Sequence, residues 1–171
     1  MAHHSVTLQG KEVKLSGVLP EVGQKAPAFR AVAQDLTTVE FPGKFSGKVV
    51  VLASVPSLDT PVCDIEGKRF NEESTKLSSD VEIVIVSMDL PFAQKRWCGA
   101  SGVERLTTLS DHRWASFGNA YGVLMEDLRL LARAVFVVDA SGVIRHVQLV
   151  PEVTHEPDYD SVLKAVKECI G

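Results

Sequence analysis

One cysteine in this chain of 171 residues, Cys63, stands where the backbone would make a thiol reactive. A strand-like run, Lys48 to Ser54, leads into Pro56-Ser57-Leu58-Asp59-Thr60-Pro61-Val62-Cys63. From Cys63 to Glu73 the chain is polar with spaced apolar residues, which reads as an amphipathic helix. Thr60 suits the N-cap, and Pro61 suits the first helical position, where its missing N–H would have had no partner. Cys63 then falls at the third helical position, among free amide donors and the positive end of the helix dipole. A thiolate gains there what a neutral thiol does not. The position therefore favours a reactive cysteine over an inert packed one.

Other residues bear on that thiol. Arg133 opens the apolar run Ala134 to Val138, so its guanidinium needs an anionic partner; taken alone, it reads better as a surface or structural-ion-pair arginine, and only beside a candidate thiolate does the functional reading prevail. Asp64 and Glu66 would oppose a thiolate if they faced it, and are expected to point away as solvated neighbours. Gly67 inside the expected helix costs about 1 kcal/mol against alanine. His112, His146 and His155 could supply a base for acyl transfer, but nothing else around Cys63 suggests that chemistry, and the last two read as surface residues. Cys98 ends a short helical run, Phe92 to Cys98, and its redox role is left open by the residues alone. Cys169 lies on the apolar face of the terminal helix, where packing is expected. His3, His4 and the dispersed cysteines make no recognised metal-ligand spacing.

The chain as a whole sets bounds. Its length implies one domain, residues 1–171, with residues 1–17 as an N-terminal hairpin extension. With 45% hydrophobic and 23% charged residues and a formal net charge of -4, it offers no basic field for nucleic acid or a membrane surface. The start lacks a basic, then apolar leader, and no apolar run is long enough to span a bilayer. A cytoplasmic protein is expected, in which an odd cysteine count argues against a structural disulfide framework.

The elements that must position Cys63 follow from periodicity. Val6 to Leu8 and Glu12 to Leu15 form a hairpin across Gln9-Gly10-Lys11. Phe29 to Gln34 is edge-like, and Glu82 to Met88 is a β-branched run buried on both faces. The Cys63 helix should run to about Leu77, and Pro91 should open a short helix stopped by Gly99. Leu106 to Leu109 is a strand, and His112 to Tyr121 a helix. Ala134 to Val138 and Val143 to Val150 form a second hairpin. A last helix, with Val162, Val166, Cys169 and Ile170 on one face, follows Pro157. The outline is a thioredoxin-like α/β fold, a central mixed β-sheet flanked by helices.

Pro56-x-x-x-Thr60-x-x-Cys63 resembles the active-site pattern of the peroxiredoxins, and Pro-Ser-Leu-Asp-Thr-Pro-Val-Cys with Arg69-Phe70-Asn71 resembles their bacterial thiol peroxidase branch, of the atypical 2-Cys kind. Asp89-Leu90-Pro91-Phe92-Ala93-Gln94, Cys98-Gly99, Ala120-Tyr121-Gly122-Val123, Leu131-Ala132-Arg133-Ala134-Val135 and Glu156-Pro157-Asp158-Tyr159 extend the likeness over most of the chain. The resemblance implies a homodimeric enzyme that reduces hydrogen peroxide and organic hydroperoxides without metal or organic cofactor, recycled by thioredoxin. By it Cys63 is similar to the peroxidatic cysteine and Cys98 to the resolving one, joined in an intramolecular disulfide during turnover. Thr60 matches the hydroxyl that contacts peroxide, Pro56 the shield of the thiolate, and Arg133 the cation beside the sulfur. Val55, Leu58 and Val62 suggest a preference for alkyl hydroperoxides. A peroxide sensor passing its disulfide to a partner protein would share this chemistry.

Overall fold

The computed structural model describes residues 4–170; His3 lies outside them. The chain forms β1 (Ser5–Leu8), β2 (Lys11–Ser16), β3 (Phe29–Val32), β4 (Thr38–Phe41), β5 (Val49–Ser54), α1 (Pro61–Ser74), β6 (Val81–Ser87) and α2 (Pro91–Ser101). There follow β7 (Thr107–Ser110), α3 (Ser116–Ala120), β8 (Leu124–Met125), β9 (Leu130–Leu131), β10 (Ala134–Val138), β11 (Ile144–Leu149) and α4 (Tyr159–Ile170).

A seven-stranded mixed sheet runs β11-β10-β5-β6-β7-β3-β4. Its centre, β5-β6-β7, is parallel, and β10 and β3 close onto it antiparallel. Because side chains alternate along a strand, β5 feeds two separate apolar clusters. Val50 and Leu52 join Phe117, Tyr121, Phe136 and the small sheet on one face. Val49, Val51 and Ala53 join Cys63, Phe70, Trp97, Val162 and Val166 on the other. That second face, covered by α1, α2 and α4, carries Cys63.

Several boundaries differ from expectation for local reasons. The N-terminal hairpin is present, turning at Gln9 and Gly10 with both φ positive, but it is the outer half of a four-stranded sheet completed by β8 and β9, which the sequence did not suggest. β4 was likewise not foreseen. α1 ends at Ser74 rather than near Leu77, where the hydroxyls of Ser74 and Thr75 bond back to Asn71 O and Glu72 O. α2 continues past Gly99 to Ser101 and stops at Gly102, whose left-handed φ of 66° ends the helix. α3 is shorter than His112 to Tyr121, because the Asp111 carboxylate instead caps it by accepting from the amides of Phe117 and Gly118. In α4, Val162 and Val166 are buried and Cys169 is half-buried, whereas Ile170 is exposed.

Candidate active site

The loop from Val55 to Thr60 leaves the end of β5 and is braced from below. Asp89, after β6, accepts from Ser57 Oγ (2.7 Å), Leu58 N (2.8 Å) and Ser87 Oγ (2.7 Å). Pro56 is buried at the start of this loop. Val55 and Leu58 belong to the core, so of the three apolar residues near the motif Val62 alone is partly exposed.

Thr60 is the N-cap of α1 and Pro61 opens the helix, as the sequence implied. The Thr60 hydroxyl donates to Ser57 O (3.0 Å) and accepts from Cys63 N (3.3 Å). Cys63, fully buried, thus stands in the first turn, where free amides and the helix dipole favour negative charge.

Arg133 reaches the same sulfur from the start of β10. Its Nη2 donates to Cys63 Sγ (3.2 Å), its Nη1 to Glu66 Oε2 (2.5 Å) and its Nε to Val153 O (2.9 Å). Contacts on three nitrogens leave the guanidinium little freedom. Arg133 is 2% exposed and Glu66 0%, so Glu66 is not the solvated neighbour expected above but the anion that Arg133 requires. Burial pushes the Glu66 carboxyl up, to about 7, against the pull of Arg133. Burial also opposes the Arg133 charge, but Glu66 and Cys63 outweigh it and leave the guanidinium's pKa raised. A buried pair of this kind is a poor source of net stability. Its use here is to hold a cation against a sulfur.

Glu66 and Asp89 are the site residues that reasoning from sequence missed. Glu66 carried a signal: three residues after Cys63, it shares that helical face. Asp89 lay in a matching motif but gave no sign of its role. Asp64 is partly exposed and bonded, accepting from Lys68, Trp97 and Ser101. Gly67 packs beneath Trp97, which explains a glycine inside a helix: a Cβ there would stand 2.7 Å from Trp97 Cζ2.

Cys98 is not joined to Cys63; all three cysteines are free thiols. Its sulfur accepts from Gln34 Nε2 (3.5 Å), and burial pushes the thiol up, against the hydrogen bonds of Gln34 and Thr108. Burial, then Asp139, does the same to Cys169. His112 and His155 are exposed, while His146 is half-buried rather than on the surface; none of the three is a hydrogen-bond partner of Cys63 among the described residues. His4 donates instead to Gly122 O. Among the described residues no group of three or more acids, cysteines and histidines could hold a metal ion, and no helix is long and apolar enough to cross a membrane. A cavity of about 630 Å³ between Lys25, Phe45 and Ser141 lies at the other end of β5 from Cys63.

Residues 21–163 match the Redoxin family. A thiol peroxidase of Halalkalibacterium halodurans is 49% identical over 97% of this chain and 99% of its own. One of Oceanobacillus iheyensis is 50% identical over 93% and 96%. The crystal structure of a peroxiredoxin-like protein from Aquifex aeolicus superposes with a TM-score of 0.90 at 45% identity, covering 99% of this chain and 98% of that one. The chain belongs to the redoxin family. Its activity is that of a thiol peroxidase, which reduces a peroxide at the expense of a thiol reductant of the thioredoxin kind.

Proposed function

We propose that Cys63 is the peroxidatic nucleophile, Cys98 the resolving thiol, and thioredoxin itself the reductant that closes the cycle. The observation that carries this reading is the 3.2 Å contact of Arg133 Nη2 on Cys63 Sγ at the amino end of α1. A thiolate there attacks the terminal oxygen of a hydroperoxide, the O–O bond breaks, and the leaving oxygen takes up a proton to become water or alcohol. Sulfur, oxidised by two electrons, is left as sulfenic acid. Arg133 faces both the attacking sulfur and the charge passing to the leaving oxygen. The Thr60 oxygen, which among the described residues accepts only from Cys63 N, keeps a lone pair for the peroxide O–H. Pro56 shields the thiolate.

The Cys98 thiol then condenses with the sulfenic acid: an S–S bond forms and water leaves. Thioredoxin's dithiol reduces that bridge. The two apolar clusters share one sheet, which supports a single domain. The motif resemblance supports a homodimer, working in a cytoplasm that keeps thiols reduced.

Peroxide reduction coupled to thioredoxin and its reductase tests the reading. Cys63→Ser should lose all peroxide consumption and Cys169→Ser should match the wild type. Cys98→Ser should consume about one equivalent of peroxide and stall. Full turnover by Cys98→Ser, or a dead Cys169→Ser, would overturn these assignments.

A further inference from the structure

The helices that carry Cys63 and Cys98 are fastened to each other beside, not through, their sulfurs. Trp97 Nε1 donates to Asp64 Oδ1 (2.8 Å), and Ser101 Oγ reaches the same oxygen (3.4 Å). Lys68, ahead of Trp97 and Ser101, holds the Asp64 carboxyl below its usual range against burial, so the indole meets a charged acceptor. The indole, 7% exposed, rests on Gly67, where a methyl group would leave it no room. Asp64 and Gly67 belong to the Cys63 helix, and Trp97 is the neighbour of Cys98. The Cys98 sulfur is hydrogen-bonded to Gln34 and Thr108 and not to Cys63, within a helix that ends at Gly102. A disulfide requires Cα atoms within about 7 Å and Cβ vectors turned toward each other. Trp97 is the residue before Cys98, so a movement of Cys98 toward Cys63 pulls on the seated indole.

We propose that the Trp97 indole, seated on Gly67 and bonded to Asp64, is a latch whose opening sets how fast Cys63 sulfenic acid meets Cys98. The latch rests on the reading of Cys98 as the resolving thiol. It acts at a branch point. Sulfenic acid either condenses with the Cys98 thiol, releasing water, or is oxidised by a second hydroperoxide to sulfinic acid, releasing alcohol or water. A slow latch therefore lowers the peroxide concentration that inactivates the enzyme, and a loose one raises it. Trp97 and Asp64 are positioning residues; neither is in hydrogen-bond contact with the Cys63 sulfur.

The test uses the full-length reduced enzyme as wild type, Asp64→Ala, Trp97→Phe and Asp64→Asn, mixed with hydrogen peroxide, acid-quenched and mapped by mass spectrometry. In Asp64→Ala and Trp97→Phe, sulfenic acid should form at the wild-type rate. The Cys63–Cys98 bridge should follow roughly tenfold faster, the equivalent of about 1.4 kcal/mol of lost hydrogen bonding. The peroxide concentration giving half-conversion to sulfinic acid should rise by the same factor. Asp64→Asn keeps an oxygen acceptor for the indole and should restore wild-type values. Bridging at the wild-type rate in both Asp64→Ala and Trp97→Phe would overturn the latch and leave the cysteine assignments standing. So would an Asp64→Asn enzyme as fast as Asp64→Ala. Absence of any Cys63–Cys98 bridge in the wild type would overturn the resolving role and the latch together.

Discussion

Glu66 accepts from Arg133 through Oε2 at 2.5 Å, while its Oε1, also buried, meets no donor among the described residues. The carboxylate is therefore held on one side only. It lies one helical turn beyond Cys63, and the guanidinium between them bonds to both. Removing the anion leaves a cation buried with one fewer partner, and removing only its charge leaves the hydrogen bond in place. Glu66→Ala should thus lower stability by about 3–5 kcal/mol, the range for breaking a buried pair. Glu66→Gln should cost clearly less. Urea unfolding compares the two; equal losses would mean that volume, not charge, governs the position.

The same carboxyl gives stability a pH dependence. Its value in the folded protein, about 7, lies above the ordinary 4.5 that the unfolded chain shows. Between those values the folded state binds the proton more tightly, so unfolding releases it and the contribution of Glu66 to stability falls as pH rises. Below the lower value and above the upper one the contribution is flat. The stability difference between wild type and Glu66→Gln, from urea midpoints across this window, should shift steadily against the wild type. A difference that moved in its favour would mean that Arg133 outweighs burial and keeps Glu66 ionised.

Gly67→Ala sets helix propensity against packing. Alanine is the better helix former by about 1 kcal/mol. Its methyl group would stand 2.7 Å from Trp97 Cζ2, and overpacking of this kind costs about 1–3 kcal/mol. The variant should be less stable than the wild type in thermal unfolding. A stabilised variant would show that the indole moves aside without cost.

Trp97 should report the catalytic cycle. The proposed latch has the Cys63–Cys98 bridge displace it from Asp64, so intrinsic fluorescence should change on one equivalent of peroxide and return with a dithiol. Trp114 lies outside α1 and α2 and stacks against Arg30, whose guanidinium carbon is 4.0 Å from the ring centroid, and should contribute little. Trp97→Phe should therefore remove most of the change. A signal that survives in Trp97→Phe and vanishes in Trp114→Phe would place the moving element elsewhere.

What the sequence determined was local. The Thr60 hydroxyl and the Pro61 ring start a helix without outside help, so the position of Cys63 in its first turn followed from the chain alone. The β-branched run of β6 likewise announced a strand covered on both faces, and the run of β5 announced a strand. Even the need of Arg133 for an anion was visible, because a guanidinium beside an apolar strand cannot go unpaired. Tertiary structure decided which anion. Helical spacing put Glu66 on the face of Cys63, but whether that face met water or core depended on β10, nearly seventy residues later, packing against it. Gly67 looked like a weakness until Trp97 arrived from α2, and β4, β8 and β9 became strands only through the partners they pair with. Hydrogen bonds within a turn are written in neighbouring residues. Burial belongs to whatever the rest of the chain brings alongside.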